Sequence, residues 1–295
     1  MTRNRTIRYA IIANPVSGKM TIDQKRSRLA TPAKILKSEI HGLDTLEPSG
    51  FQQCAREIAD RCDVLVVAGG DGSLSDIINT IDTIRTPIAF LPLGTGNAMH
   101  SALHYRGNLA DIALRIRNGE IRHYDLINCN QTRKAFMLSV GFDGTVTRLR
   151  NQYLDRGHQG FKSYLLAFFS AYFHDYKQAD SIIKIDDNRT FEVKNMFSLV
   201  VSKQPFYGYR MKIVPRARFD DRQLHILVIE SGIINSLGGL LTAFTIGNRI
   251  GHYYTGCRLS LKSERPLALQ IDGNAAWDDD SFTFSVLPRT LKIKC

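Results

Sequence analysis

The apolar run from Val64 to Ala68 ends in Gly69-Gly70-Asp71-Gly72-Ser73, and helical spacing begins at Leu74. An unbroken apolar run of this length, with no alternation, predicts a strand covered on both faces, as in a parallel sheet. Leaving it through glycines straight into a helix predicts a strand-to-helix turn at the carboxyl edge of that sheet. Ligands of open α/β sheets collect on that edge.

The rest of the first third repeats the theme. Ile7 to Ala13 is a short apolar run that ends in Asn14-Pro15-Val16-Ser17-Gly18-Lys19, a turn by composition. Phe51, Cys54, Ala55, Ile58 and Ala59 have helical spacing. Leu74 to Ile84 also reads as helix, Ile88 to Leu91 as strand, and Leu93-Gly94-Thr95-Gly96-Asn97 as a second glycine loop before another helix. Strands alternating with helices predict a doubly wound α/β domain. The three loops then share one edge.

That arrangement suits phosphate. Glycine lets a backbone approach a ligand without a Cβ in the way, and the first amides of a helix favour an anion. An aspartate beside phosphate is repulsive unless it holds a divalent cation or takes a proton from a hydroxyl nucleophile. Asp71 among the glycines therefore points to phosphoryl transfer. Asp71 as a simple helix cap is the plainer alternative. No Walker motif and no G-x-G-x-x-G pattern fits. Lys19 follows a glycine but lacks the rest of a P-loop.

Past about residue 127 the pattern changes. Strand-like runs dominate: Phe136 to Val140, Ser181 to Ile185, Phe197 to Val201, Leu224 to Ile229, Leu267 to Ile271 and Phe282 to Val286. Two segments break the series. Ser231 to Asn248 carries no charge, but Ile233, Ile234, Leu237, Leu240, Leu241 and Phe244 share one helical face, which predicts an amphipathic helix rather than a span. Phe161 to Phe173 is aromatic and apolar nearly all round. It reads as a helix buried between layers or, with Arg148, Arg150, Arg156 and Lys162 before it, as a contact for lipid.

The chain has 295 residues, long enough for one large domain or two, and shows no repeat or low-complexity tract. Its five cysteines (54, 62, 129, 257 and 295) form no CxxC pair, so a reduced, cytoplasmic protein is expected. The net charge of +11 favours anionic partners. Lys203 to Arg222 holds six basic residues against two aspartates, with no helix-turn-helix, zinc-finger or RNP signature. No nucleic-acid partner is expected.

Asn14-Pro15-x-Ser17-Gly18-Lys19, Gly69-Gly70-Asp71-Gly72-Ser73 and Pro92-Leu93-Gly94-Thr95-Gly96-Asn97, in this order, resemble the diacylglycerol kinase catalytic domain family. Its relatives include sphingosine and ceramide kinases and, more distantly, NAD kinases, and the soluble bacterial lipid kinases are the nearest in length and layout. Further along, Asp76 stands where the family has a glutamate. Gly141-Phe142-Asp143 is similar to its Gly-x-Asp turn, Tyr207-Gly208-Tyr209 lies at its glycine cluster, and Ile213-Val214-Pro215-x-Ala217 matches the next segment. Asp220-Asp221-Arg222-Gln223-Leu224 lies where the family has Asp-Gly-x-Leu, with Arg222 in place of the glycine. Ile271-Asp272-Gly273-Asn274 is similar to its Asp-Gly-Glu, with Asn274 in place of the glutamate. Read alone, Asp272-Gly273 is an ordinary hairpin turn.

The resemblance implies an α/β nucleotide-binding domain over 1–127, with 287–295 as a candidate final strand of it. It implies a mostly β, sandwich-like domain over 128–286, and an active cleft between the two. The implied activity is transfer of the γ-phosphoryl group of ATP to a hydroxyl of a diacylglycerol-like or sphingoid lipid. Asn14, Ser17, Gly70, Gly72, Ser73, Gly94, Thr95, Asn97 and Asn274 would bind nucleotide. Asp71 would position Mg2+ or its water, Asp272 would be the base, and Asp221 would hold a structural magnesium. An amide is no base, so a weak or inactive nucleotide- and lipid-binding protein is one alternative. A kinase of a soluble hydroxyl compound is another. Location at the membrane periphery follows from the lipid substrate, and a homo-oligomer is left open.

Overall fold

The computed structural model describes residues 6–45, 47–94, 98–157, 161–176, 178–230 and 233–295. The chain forms two compact units. One comprises residues 1–125, 208–210 and 288–295, and the other residues 126–207 and 211–287.

The first unit is the α/β layer. Its elements are β1 (Tyr9–Ala13), α1 (Ile22–Leu36), β2 (Ile40–His41), α2 (Pro48–Ala59), β3 (Val64–Gly69), α3 (Asp71–Thr80), β4 (Ile88–Pro92), α4 (Ala98–Ala102) and α5 (Leu109–Asn118). β4, β3, β1 and β2 lie side by side, all parallel. All six residues of β3 are buried, as its unbroken apolar run requires. α1 packs on α5, and α2 packs on α3. The equal direction of β1, β3 and β4 puts the loops at 14, 70 and 93 on one edge.

The second unit is built from antiparallel strands. β5 (Ile121–Cys129), which starts in the first unit, and β6 (Arg133–Ala135) are followed by β7 (Met137–Gly141), α6 (Phe142–Asp155), α7 (Phe161–Ser170) and a π turn at Ala171–Asp175. β8 (Ala179–Ile185), β9 (Arg189–Ser202), β10 (Leu224–Glu230), α8 (Ile233–Phe244), β11 (His252–Gly256), β12 (Arg258–Ile271) and β13 (Asn274–Lys294) complete the chain. The last residues of β13 belong to the first unit, where Ile293 pairs with Ile88 in β4.

Two long strands make the sandwich. β9 pairs first with β8 and then with β7 and β10, while β12 pairs first with β8 and β13 and then with β7. Between the layers lies one apolar core with Leu138, Val201, Ile226, Leu261 and Phe282 at its centre. On the outer face of β7, β9 and β10 sit α6 and α7, packed through Phe142, Phe168 and Phe197. Gly141 turns β7 into α6 at φ 100°, where a Cβ would lie 2.8 Å from the Phe197 carbonyl oxygen.

Both ambiguous segments are helices, and neither hides its large side chains fully. In α7 and the π turn after it, Ala167, Phe168 and Ala171 are buried, but Leu165, Leu166 and Phe169 are partly open and Phe173 is exposed. In α8, Ala243 is buried while Leu241 and Phe244 are exposed. The expected helix exists over Ile233–Phe244, but these two members of its apolar face do not point into a core, and the side chains of Ile233, Ile234, Leu237 and Leu240 lie outside the described residues. No helix among the described residues is long and apolar enough to cross a membrane.

Candidate active site

The three loops of the first unit meet. Asn14 Nδ2 donates to Ser73 Oγ at 3.1 Å, joining the first loop to the second. A Cβ on Gly69 would come within 2.6 Å of Ser73 Oγ and 3.7 Å of Ser17 Oγ. A Cβ on Gly70 would lie 3.9 Å from Gly94 Cα, and one on Gly18 3.4 Å from the Leu93 carbonyl oxygen. Asn14 also shapes its own turn, accepting the Val16 amide at 3.0 Å, while Ser17 Oγ donates to the Asn14 carbonyl. Gly69 has no room for a Cβ beside Ser73, whereas one on Gly70 would make only ordinary contact.

α3 opens at Gly70 with no side-chain cap. Its first turn, Asp71-Gly72-Ser73, is the type of helix start that accepts an anion. α4 differs. Asp71 Oδ2 accepts the Ala98 amide at 2.8 Å and Oδ1 the Met99 amide at 3.0 Å. The aspartate caps a helix, as the plainer alternative held, but the helix after the third loop rather than its own. Burial pushes the Asp71 carboxyl up, against the pull of these two amides and of His100. His100 is held below the usual histidine value by burial and by Arg210. Thr95 and Asn97 lie outside the described residues.

Lys25 is a residue that sequence reasoning misses. It is fully buried in α1, and its ammonium donates to the Asn14 carbonyl at 3.0 Å and to that of Pro15. Burial lowers its pKa. A signal exists in the sequence: Lys25 shares the buried stripe of α1 with Leu29, Pro32 and Leu36. Lys19, the lysine the loop motif singles out, is exposed.

In the second unit Asp272 and Gly273 form the two-residue hairpin between β12 and β13, at φ 49° and 84°. Positive φ at both positions is the type I′ turn that Asp-Gly favours. Asp272 Oδ1 accepts the amides of Phe136 at 3.0 Å and Met137 at 2.9 Å, and its own amide donates to the Met137 carbonyl. The turn is thus an ordinary hairpin in form and is also clamped to β7. Asn274 is exposed at the start of β13.

Asp143, in the first turn of α6, accepts Ser198 Oγ at 2.9 Å, and burial raises its pKa against the bonds from Ser198 and Ser139. Tyr164, Tyr176 and Tyr207 are all pushed up, by burial first and then by the Asp143 charge. Sequence reasoning notes the Gly-x-Asp turn without giving it a role.

Asp221 faces a cation that belongs to the chain. The Lys203 ammonium, fully buried, donates to Asp221 Oδ1 at 2.7 Å and to the Gln223 carbonyl at 2.7 Å. His225 Nε2 is 2.7 Å from Asp221 Oδ2. Burial pushes the Asp221 carboxyl up, but Lys203 and His225 outweigh it and hold the group below its ordinary value. A carboxylate and a carbonyl gathered around an ammonium do not fit a divalent ion as well. The described residues hold no group of three or more His, Cys, Asp or Glu placed to share a metal.

A model of the diacylglycerol kinase catalytic domain matches residues 8–129, and a model of the YegS C-terminal NAD kinase beta sandwich-like domain matches residues 137–295. A curated diacylglycerol kinase of Staphylococcus saprophyticus is 25% identical over 283 residues, covering 90% of this chain and 88% of that protein. A crystal structure described as a diacylglycerol kinase from Bacillus anthracis is similar at a TM-score of 0.73 and 17% identity, covering 99% of this chain and 98% of the other. An NAD kinase from Archaeoglobus fulgidus in complex with ATP is similar at a TM-score of 0.53 and 11% identity, over 97% and 93% of the two chains. The structural likenesses show a shared fold.

Proposed function

The chain belongs to the diacylglycerol kinase catalytic domain family, with a second half of the YegS C-terminal type, and on that premise we propose that it is an ATP-dependent lipid kinase. It moves the γ-phosphoryl group to a hydroxyl of a diacylglycerol-like or sphingoid lipid. The observation that carries this reading is the convergence of three glycine loops around the uncapped start of α3.

In this reading the nucleotide phosphates lie against Ser17, Gly70, Gly72, Ser73 and Gly94, with Thr95 and Asn97 from the same third loop. Asn14 and Lys25 hold the first loop in shape, Lys25 through the Asn14 carbonyl and Asn14 through the Val16 amide and the Ser73 hydroxyl. The acceptor hydroxyl oxygen attacks the γ-phosphorus, the bond to the β-phosphate oxygen breaks, and ADP leaves. The hydroxyl proton passes to Asp272, whose carboxylate is oriented by two amides. Asp71 is the acid of the loop cluster whose remaining lone pairs suit Mg2+ or its water; the ion, when bound, neutralises phosphate charge. Asn274 accepts or donates a hydrogen bond near nucleotide or water. The open Leu165, Leu166 and Phe169 of α7, with Phe173 just after it, support a peripheral contact with lipid.

The test is ATP consumption with magnesium in mixed lipid–detergent micelles. Lipid-stimulated turnover that Asp71→Asn abolishes supports the reading. Nucleotide binding without turnover on any lipid, together with a large gain in Asn274→Glu, supports a binding protein that has lost catalysis. Turnover that needs no lipid or detergent supports a soluble acceptor.

A further inference from the structure

The described part of α8, its C-terminal half, packs small and exposes large. Its packed side carries the small residues. Ala243 is buried, and a Cβ on Gly239 would lie 3.1 Å from Asn248 Oδ1 and 3.6 Å from Ile250. Just past the helix, Gly247 abuts Pro215, where a Cβ would come within 2.7 Å. Among the described side chains, large apolar ones face out: Leu241 is 70% exposed and Phe244 44%, with Ile246, just past the helix, at 64%. Gly238, one turn before Leu241, has nothing within 4 Å of its Cβ position. A helix that docks on its own domain normally does the reverse and buries its large side chains. Small residues in the packed seam with large apolar ones outward is the pattern of a helix whose outer medium is lipid.

The charge around this face is one-sided. The end of α8 is tied to the segment at 212–215, where the Lys212 amide donates to the Ala243 carbonyl and the Asn248 amide to the Lys212 carbonyl. Neither contributing stretch has an acidic residue: none occurs from Lys203 to Phe219, and none from Ser231 to Ser263. Lys212, Arg216 and Arg249 are exposed here. Arg218 is paired with Asp220, whereas Lys212 and Arg216 lie over the Phe206 and Tyr253 rings and, like Arg249, form no ion pair among the described residues. Ile246, Arg216 and Arg249 also share the wall of a cavity of about 370 Å³.

We propose that the outward side of the end of α8 and the turn after it, Leu241, Phe244 and Ile246 flanked by Lys212, Arg216 and Arg249, docks the protein on an anionic lipid bilayer. The apolar side chains enter the acyl boundary and the basic ones meet the headgroups. The pairing is that of interfacial helices, in which apolar burial and anionic attraction add. The proposal deepens the lipid-kinase reading and rests on it for its purpose, but its evidence is the α8 face and not the nucleotide loops.

The test uses the full chain and co-sedimentation with vesicles of phosphatidylcholine, alone or mixed with phosphatidylglycerol. Leu241→Ser, Phe244→Ser and Ile246→Ser should each lower partitioning to both about tenfold. Arg216→Gln with Arg249→Gln should remove most of the preference for the anionic vesicles, about fivefold per residue. All of these side chains are exposed, so thermal midpoints and turnover on a water-soluble short-chain diacylglycerol should stay unchanged. As a second measurement, emission from a Leu241→Trp variant should be quenched by brominated acyl chains beyond the baseline set by the native Trp277. Serine variants that sediment like the unchanged protein, or Leu241→Trp emission blind to brominated lipid, overturn the proposal. So does a face that proves to be covered by a second copy, with the serine variants becoming monomeric in sedimentation velocity while vesicle binding persists. If vesicle binding falls as expected but no lipid is ever phosphorylated, the docking surface stands and the kinase reading fails.

Discussion

Asp71 and Asp272 stand in different units and different local structures, yet each carboxylate binds two consecutive backbone amides. Asp71 spends one oxygen on Ala98 and the other on Met99, at the start of a helix. Asp272 gathers Phe136 and Met137 on a single oxygen, at the entry to a strand. In both, a glycine-containing turn aims an acid at a distant piece of chain and fixes its direction. The turn sets where the carboxylate is, and the remote partner decides what it is spent on. A carboxylate fixed in this way is ready for chemistry without reorganising. The even bonding of Asp71 suits a role that needs both oxygens held.

The largest expected effect tests whether both acids belong to one reaction. Asp71→Asn and Asp272→Asn should each lower turnover about 10²–10⁴-fold, since the amide keeps an acceptor oxygen but cannot carry charge or take the proton. Steady-state rates with a saturating lipid acceptor measure this. If Asp272→Asn retains most activity while Asp71→Asn does not, Asp272 is only the hairpin residue that its turn type requires, and the comparison breaks.

Truncation comes next. Asp272→Ala strands two amides and should cost about 2–4 kcal/mol, read as a fall in the urea midpoint. Asp71→Ala strands two as well, but it also relieves a buried carboxylate, so its cost should be smaller, about 1–3 kcal/mol. Equal losses would mean that burial of Asp71 carries no penalty.

The sequence shows turns better than their long-range partners. β1, β3 and β4 were legible because a parallel strand covered on both faces must be apolar throughout, and the three loops follow from their common direction. Asp272-Gly273 was legible as a hairpin because few other dipeptides accept positive φ twice. That Asp71 would cap α4 was not, because the helix it caps begins 27 residues away and needs no special residue to be capped. Lys25 was hidden for a related reason: its partners are carbonyls, which every residue has. Asp221 reads as a metal ligand only through the family resemblance, while the ammonium that fills the place comes from Lys203 on another part of the chain. The pattern of α8 told which face is apolar. It could not tell which way that face points, since a bilayer and a core ask for the same side chains.

The two turns also differ in why they need glycine. Gly69 needs it for space, with Ser73 Oγ 2.6 Å from its Cβ position. Gly273 needs it for φ, which is 84°, with nothing within 4 Å. Gly69→Ala should therefore displace Ser73, weaken its bond to Asn14 and raise the KM for ATP, at about 1–3 kcal/mol of stability. Gly273→Ala should cost about 1 kcal/mol through strain alone and leave nucleotide binding untouched. Nucleotide titration alongside urea unfolding separates the two. A Gly273→Ala variant with impaired ATP binding would show that the hairpin, and not only the loop cluster, shapes the nucleotide site.

The smallest expected effect concerns the sign of stability against pH. Burial raises the Asp71 carboxyl, so between the ordinary carboxylate range near 3.9 and its folded value the native state holds more proton than the unfolded chain. Stability from this group therefore falls as pH rises through that window, at a slope of at most roughly 1.4 kcal/mol per pH unit. Asp143 acts in the same direction. Asp221, held down by Lys203 and His225 after burial is outweighed, acts in the opposite one, and its contribution is lost as pH falls below the ordinary range. Urea midpoints across the acid range should thus lose part of their decline with rising pH in Asp71→Asn and lose part of their acid sensitivity in Asp221→Asn. If Asp71→Asn leaves the profile unchanged, the Ala98 and Met99 amides balance burial in full.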